Sequence, residues 1–377
     1  MKKTLGIYIH IPFCIKKCNY CDFCSFPSVS DEDKERYVDA LCREIASWSE
    51  KVKDRIVDTV YFGGGTPTLL NIAQLEKIIN TVRENFCVSE NVEITTECNP
   101  KTADLEYFKG LKFLGFNRIS LGVQSANERE LLLLGRIHTF SDAKKAFYDA
   151  RHAGFDNISV DLMFGIPEQT EESFKDTLDK ILELSPEHIS AYSLIVEPET
   201  PFFANYKKLV LPDEDSEYNM YTGAVEAMER YGLHRYEISN FAVTGRESRH
   251  NLKYWRREEY LGFGISAHSF FDDERHENTS QLDVYINGAY AAASRKILPN
   301  EAVNEYVMVK MRLSEGIDEN EFFELFGIPF GDAFGEALEP FVCAGLVVRE
   351  GGRCAFTDSG FYLSNSVLSE ILSFETE

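Results

Sequence analysis

The sequence predicts an α/β fold: a parallel sheet curled into a partial (β/α)6 barrel, followed by a small C-terminal helical, winged-helix-like domain. Three observations carry that expectation. Short β-rich runs alternate with amphipathic stretches over the first two-thirds of the 377 residues, at a spacing of roughly 25–50 residues that suits βαβ units. The chemistry-bearing motifs fall just after predicted strands, at the carboxyl ends where α/β sheets place their sites. After about residue 240 the rhythm changes. These observations divide the chain into a barrel over 1–240, a connecting region over 241–303 and a C-terminal domain over 304–377.

Strands are expected near 5–11, 56–62, 91–97, 118–123, 157–163, 188–195 and 234–239. Helices are expected near 32–50, 73–86, 102–114, 140–153, 170–184 and 214–231. In the first helix Tyr37, Leu41, Ile45 and Trp48 recur at steps that share one helical face. Residues 244–300 read as irregular and then helical. From Asn304 the pattern is three helices and a two-stranded wing over 346–356, turning at Glu350-Gly351-Gly352-Arg353. Between Val307 and Glu377 only 4 basic residues stand against 13 acidic ones, so this domain is expected to dock or cover rather than bind DNA.

Composition agrees. Hydrophobic residues make up 44% and charged residues 27%, which excludes disordered, collagen-like and disulfide-scaffold classes. A net charge of -23 repels phosphate backbones and anionic membrane surfaces, so nucleic acid is not an expected partner. The apolar stretch after Met1-Lys2-Lys3 soon meets His10 and Pro12, which makes neither a signal peptide nor a transmembrane helix. Nine cysteines, four of them at Cys14, Cys18, Cys21 and Cys24, point to a reducing cytoplasm and a metal site rather than disulfides.

Cys14, Cys18 and Cys21 form C-x3-C-x2-C on a loop after the first strand. Such a loop can wrap three corners of a [4Fe–4S] cluster and leave the fourth iron open to a ligand. Zinc would call for a second C-x2-C pair or added histidines, which the sequence does not supply here. One βα unit later, Tyr61-Phe62-Gly63-Gly64-Gly65-Thr66 permits close backbone approach to a ligand. Glu97 ends the third strand and can bind ribose hydroxyls. Gln124 and Asp161 sit at later strand ends and Arg136 opens a loop, a polar set able to surround one ligand, though each also has a salt-bridge reading.

Tyr8-x-His10-Ile11-Pro12-Phe13-Cys14, with the cysteine spacing and Tyr20, resembles radical S-adenosylmethionine (SAM) proteins of the oxygen-independent coproporphyrinogen III oxidase family. Cys21-Asp22-Phe23 is similar to the HemW-type branch, regarded as haem chaperones. The resemblance runs from Tyr8 to about Ser269, and more loosely to the C-terminus. It implies a radical SAM barrel, a [4Fe–4S] cluster on Cys14, Cys18 and Cys21, and SAM, which the cluster cleaves to a 5′-deoxyadenosyl radical. It further implies SAM contacts from Tyr8, Tyr20, Gly64, Gly65, Thr66, Glu97, Gln124, Arg136 and Asp161. In the oxidases the last three positions, with Tyr20, contact a second SAM. Looser correspondences fall at Ser193-Leu194 and Ala267-His268. Oxidases carry a further cysteine where this chain has Phe23; Cys24 lies one residue beyond.

His250-Asn251-Leu252-Lys253-Tyr254-Trp255 contains H-N-x-x-Y-W, which resembles a signature of the HemW-type branch. A neutral imidazole with flanking aromatics suits haem iron and a flat porphyrin, so His250 is the candidate haem ligand, with His268 and Tyr254 behind it. The other reading makes His250 a loop cap and Trp255 core. The resemblance thus implies a protein that binds haem or porphyrin, receives electrons from a donor and delivers haem to acceptor proteins. The alternative is a coproporphyrinogen III oxidase that turns propionates into vinyls. Phe23, H-N-x-x-Y-W and the 13 residues before Cys14 favour the chaperone; methylation or ring-opening of haem is a third reading.

Overall fold

The computed structural model describes residues 3–372. Six parallel strands follow one another in both sequence and space: Lys3–Ile11, Arg55–Gly64, Val88–Cys98, Arg118–Gln124, Ile158–Phe164 and His188–Ser193. Helices link them, including Asp31–Ser47, Ile72–Asn85, Leu105–Phe113, Phe140–His152 and Glu171–Leu182. The predicted βα alternation is therefore present, with the first helix starting at its Ser30 cap, whose hydroxyl accepts from the Asp33 amide at 3.1 Å.

The period-2 alternation of strands sorts residues into two environments. On the fourth strand Ile119, Leu121 and Val123 enter the apolar core, while Arg118, Ser120, Gly122 and Gln124 line the barrel lumen. The same phase puts Tyr61, Glu97, Asp161, Ser190 and Tyr192 inside. Barrel interiors are ordinarily filled with Val, Ile and Leu; this one is polar and holds a cavity.

Two expectations need correction. Residues 244–300, read as irregular, contribute four strands. Tyr260–Phe263 lies parallel beside the first strand, and His268–Phe271, Glu274–Asn278 and Ala291–Lys296 continue the sheet antiparallel. The missed signal is a tight turn: Phe271 pairs with Glu274, and Asp272 and Asp273 between them have φ of 50° and 56°. Both central residues are left-handed, as a type I′ hairpin demands, and Asp tolerates that region. The predicted strand 234–239 shrinks to His234–Arg235 and a bridge from Glu237 to Leu313.

The C-terminal part has helices Pro299–Lys310, Glu319–Phe326 and Phe330–Cys343 around Phe322, Phe330 and Phe334. Its wing pairs Val347–Glu350 with Arg353–Phe356 across Gly351-Gly352, as predicted, and adds the short strand Ile317–Asp318. The Glu237–Leu313 bridge and an Arg235–Asp358 ion pair fasten this part to the barrel. Among the described residues no helix is long and apolar enough to cross a membrane.

Candidate functional site

The cysteine loop leaves the first strand and returns through a two-residue parallel pairing, Phe13 with Phe26 and Cys14 with Pro27. His10 ties it down from beneath. Its Nε2 lies 2.9 Å from the Cys24 carbonyl and its Nδ1 3.0 Å from the Tyr8 hydroxyl. A carbonyl only accepts, so Nε2 carries the proton and Tyr8 donates to Nδ1. Burial lowers the His10 pKa and keeps this imidazole neutral. Gly65 makes the approach possible, because a Cβ there would stand 2.7 Å from the Phe13 carbonyl oxygen.

Cys14, Cys18 and Cys21 share one wall of a cavity of about 550 Å³ that runs from the loop into the lumen. Among the described residues no three His, Cys, Asp or Glu side chains converge at metal-ligand distance. Burial raises the Cys14 thiol and pushes Cys21 up to about 11, with the neighbouring thiols adding to both, so a metal binding here displaces protons. The Sγ of Cys24 instead meets the Ser280 carbonyl at 3.8 Å, away from the cavity.

Of the other predicted residues, Tyr20, Gly64, Gly65, Thr66, Glu97, Gln124, Arg136 and Asp161 all reach this cavity. Ser193 and Leu194 do too; Ala267 and His268 do not. Glu97 accepts from the Tyr61 hydroxyl at 2.9 Å and the Gly64 amide at 3.1 Å. Burial, then the charge of Asp161, raises its pKa to about 7. Asp161, raised by burial, accepts from Ser120 Oγ at 3.0 Å. A register shift between Gly122 and Gln124 turns Gln124 into the mouth at φ 71°, where its Oε1 accepts from Tyr192 at 2.8 Å. Arg136 puts Nη1 3.6 Å from the Cys18 sulfur and donates from Nη2 to the Gly122 carbonyl at 2.6 Å. Tyr8 does not line the cavity; it stacks behind Tyr61 at 6.2 Å.

This donor set suits the cofactors the sequence implies: three thiols for a cluster, and buried carboxylates, an amide and a guanidinium for a polar ligand. The buried Nε atoms of Arg118 and Arg136 and the Oγ of Ser25 have no hydrogen-bond partner among the described residues, and all three residues line the cavity. Sequence reasoning missed Arg118, Tyr61, Ser120 and Tyr192. The signal for Arg118 was its place in the alternation Arg118-x-Ser120-x-Gly122-x-Gln124.

His250 sits apart from this cavity. It is 1% exposed, at the closed floor of the lumen. Nδ1 lies 2.8 Å from Thr59 Oγ1, Nε2 lies 2.8 Å from the Tyr254 hydroxyl, and Tyr61 stacks on the ring at 5.2 Å. Both nitrogens are hydrogen-bonded within the protein, and burial lowers its pKa to about 3. The helix that carries it, Arg249–Trp255, is held by Glu93, which accepts from the Arg249 and His250 amides at 3.2 and 3.1 Å. Tyr254 is engaged in the same contact, and Asn251 alone of the signature reaches the cavity.

Residues 8–181 match the radical SAM superfamily model and residues 297–363 match the HemN C-terminal domain model. The chain is 36% identical over 373 residues to the heme chaperone HemW of Bacillus subtilis (strain 168), covering 97% of this chain and 98% of that one. It is 33% identical over 374 residues to the heme chaperone HemW of Escherichia coli (strain K12), covering 98% of each. Among solved structures it superposes on the coproporphyrinogen III oxidase HemN of Escherichia coli with a TM-score of 0.86 and 26% identity, covering 99% of this chain and 91% of that one.

Proposed function

The chain belongs to the HemW family of radical SAM proteins, and on that premise we propose that it is a haem chaperone that binds haem and passes it to acceptor proteins. The observation that carries this reading is the polar lumen cavity opening at the cysteine loop. In it Cys14, Cys18 and Cys21 hold a [4Fe–4S] cluster, and Gly64, Gly65, Thr66, Glu97, Gln124, Arg136 and Asp161 hold SAM, with Tyr20 at the same wall. The cluster and SAM together supply one-electron cleavage chemistry when bound. The chain's part is positional. Glu97 is oriented by Tyr61 and Gly64, Arg136 donates to the Cys18 sulfur, and the His10–Cys24 tether fixes the loop. Tyr8 acts through His10 and Tyr61 rather than on the ligand. Free thiols at all nine cysteines fit a reducing cytoplasm.

The fold shared with HemN over nearly the whole chain favours one second reading, oxidative decarboxylation of coproporphyrinogen III. The deciding experiment supplies cluster-reconstituted protein with SAM, reductant and coproporphyrinogen III under anaerobic conditions. The chaperone reading expects no protoporphyrinogen, together with haem transfer to an apo-acceptor. Protoporphyrinogen formation makes the protein an oxidase.

A further inference from the structure

We propose that haem seats at the mouth of the lumen, beside the cysteine loop, as a flat apolar molecule whose carboxylates pair with Lys16 and Lys17; this rests on the haem-handling reading above. Two large apolar side chains stand out of the protein at this opening, Phe23 and Ile195, exposed by 62% and 64%, and Ile15, exposed by 51%, lies between Cys14 and Lys16 in the sequence. Phe23 and Ile195 also line the cavity wall. Isolated exposed hydrophobics need no explanation, but a group around one opening marks a binding surface.

Charge agrees. Lys16 and Lys17 line the same opening, and among the described residues neither has an ion-pair partner. The segment after the sixth strand docks on the cysteine loop through the Phe202 amide and Asn19 carbonyl at 3.0 Å. The same segment carries the exposed Phe203, Lys207 and Lys208 further along. Asp22 and Glu197 share the rim, so the anion-binding groups there are the adjacent ammonium groups of Lys16 and Lys17, which no carboxylate neutralises by an ion pair among the described residues. Apolar faces between cations fit a porphyrin carrying propionates. The floor does not, since His250 is enclosed and bonded at both nitrogens. Phe23, where the oxidases carry a cysteine, thus acquires a contact role.

The test titrates cluster-reconstituted protein anaerobically with haemin and with haemin dimethyl ester, following the Soret band. Lys16→Glu/Lys17→Glu weakens haemin by roughly five- to tenfold and leaves the ester unchanged. Phe23→Ser weakens both ligands by about tenfold. Ile195→Ser, remote from the loop in sequence, does the same in weaker measure and guards against a variant that loses its cluster. His250→Gln binds as the parent does. Rim variants with parental affinity, or a haemin loss confined to His250→Gln, overturn the proposal while leaving haem handling in place. An unsubstituted protein with no saturable haemin binding removes the haem reading, and this site with it.

Discussion

At the floor of the barrel, two histidines sit in matching clamps. His250 lies between Thr59 and Tyr254, and His188 between Ser159 and Tyr236, every contact at 2.8 Å. Above it, similar polar chemistry is left open: Glu97, Asp161, Arg118 and Arg136 face about 550 Å³ of space, and both arginine Nε atoms lack a partner among the described residues. The inward strand phase supplies Thr59, Ser159 and His188 as well as Glu97 and Asp161, so residue type alone does not separate a structural imidazole from a binding group. What separates them is whether the hydrogen bonds close within the protein. A closed set makes a rigid plug, whereas an open set carries a desolvation cost that a ligand can relieve.

The widest effect expected from this contrast is at the mouth. Cys14→Ala abolishes cluster absorbance after reconstitution while the apo-protein melts as before; a variant that keeps the cluster places the ligands elsewhere. Next comes the floor. His250→Ala leaves Thr59 and Tyr254 unpaired around a void, so stability falls by roughly 2–4 kcal/mol in urea denaturation. Its haem spectrum is unchanged. Lost haem features at parental stability would reverse the assignment of the two ends.

Titration sharpens the contrast, because the two ends have opposite signs. Glu97 is raised to about 7 from an ordinary 4.5. Between those values the folded state keeps a proton that the unfolded chain has released, so its contribution to stability falls as pH rises through that window. His250 is lowered to about 3 from 6.5. There the unfolded chain takes a proton the folded state refuses, so its contribution is full above 6.5 and is lost as pH falls towards 3. Glu97→Gln therefore makes stability climb more steeply between pH 4.5 and 6.5. It also weakens SAM binding by about tenfold in calorimetry, since one charge-assisted bond is lost. Parallel pH curves for parent and variant would deny the buried carboxyl its role. Smallest of all, Cys24→Ser keeps the cluster and shifts stability by no more than about 0.5 kcal/mol; a lost cluster would make Cys24 a ligand.

Much of this was legible in the sequence because it depends on short-range pattern. The six strands announced themselves by apolar runs, and the cysteine loop by spacing. What stayed hidden depends on pairing between distant segments. Tyr260–Phe263 is only four residues long, and its partner is the first strand. Its neighbouring hairpin was coded by Asp272-Asp273 without a glycine. His250 left a ligand reading and a hydrogen-bonded structural reading both open, because its aromatic neighbours in sequence suit a porphyrin as well as a core. Thr59, which takes one of its nitrogens, lies 191 residues away.

That late pairing bears on how the protein is made. The first strand carries the cysteine loop, yet one flank pairs with residues 260–263. At 5–20 residues per second, synthesis leaves that edge bare for roughly 13–50 s. An unpaired strand edge is a template for association between chains. The interval during which the cluster loop stands on an unguarded strand is therefore set by the ribosome. A chain stopped short of residue 260 keeps that edge open permanently, a message for any cell that must clear unfinished polypeptides.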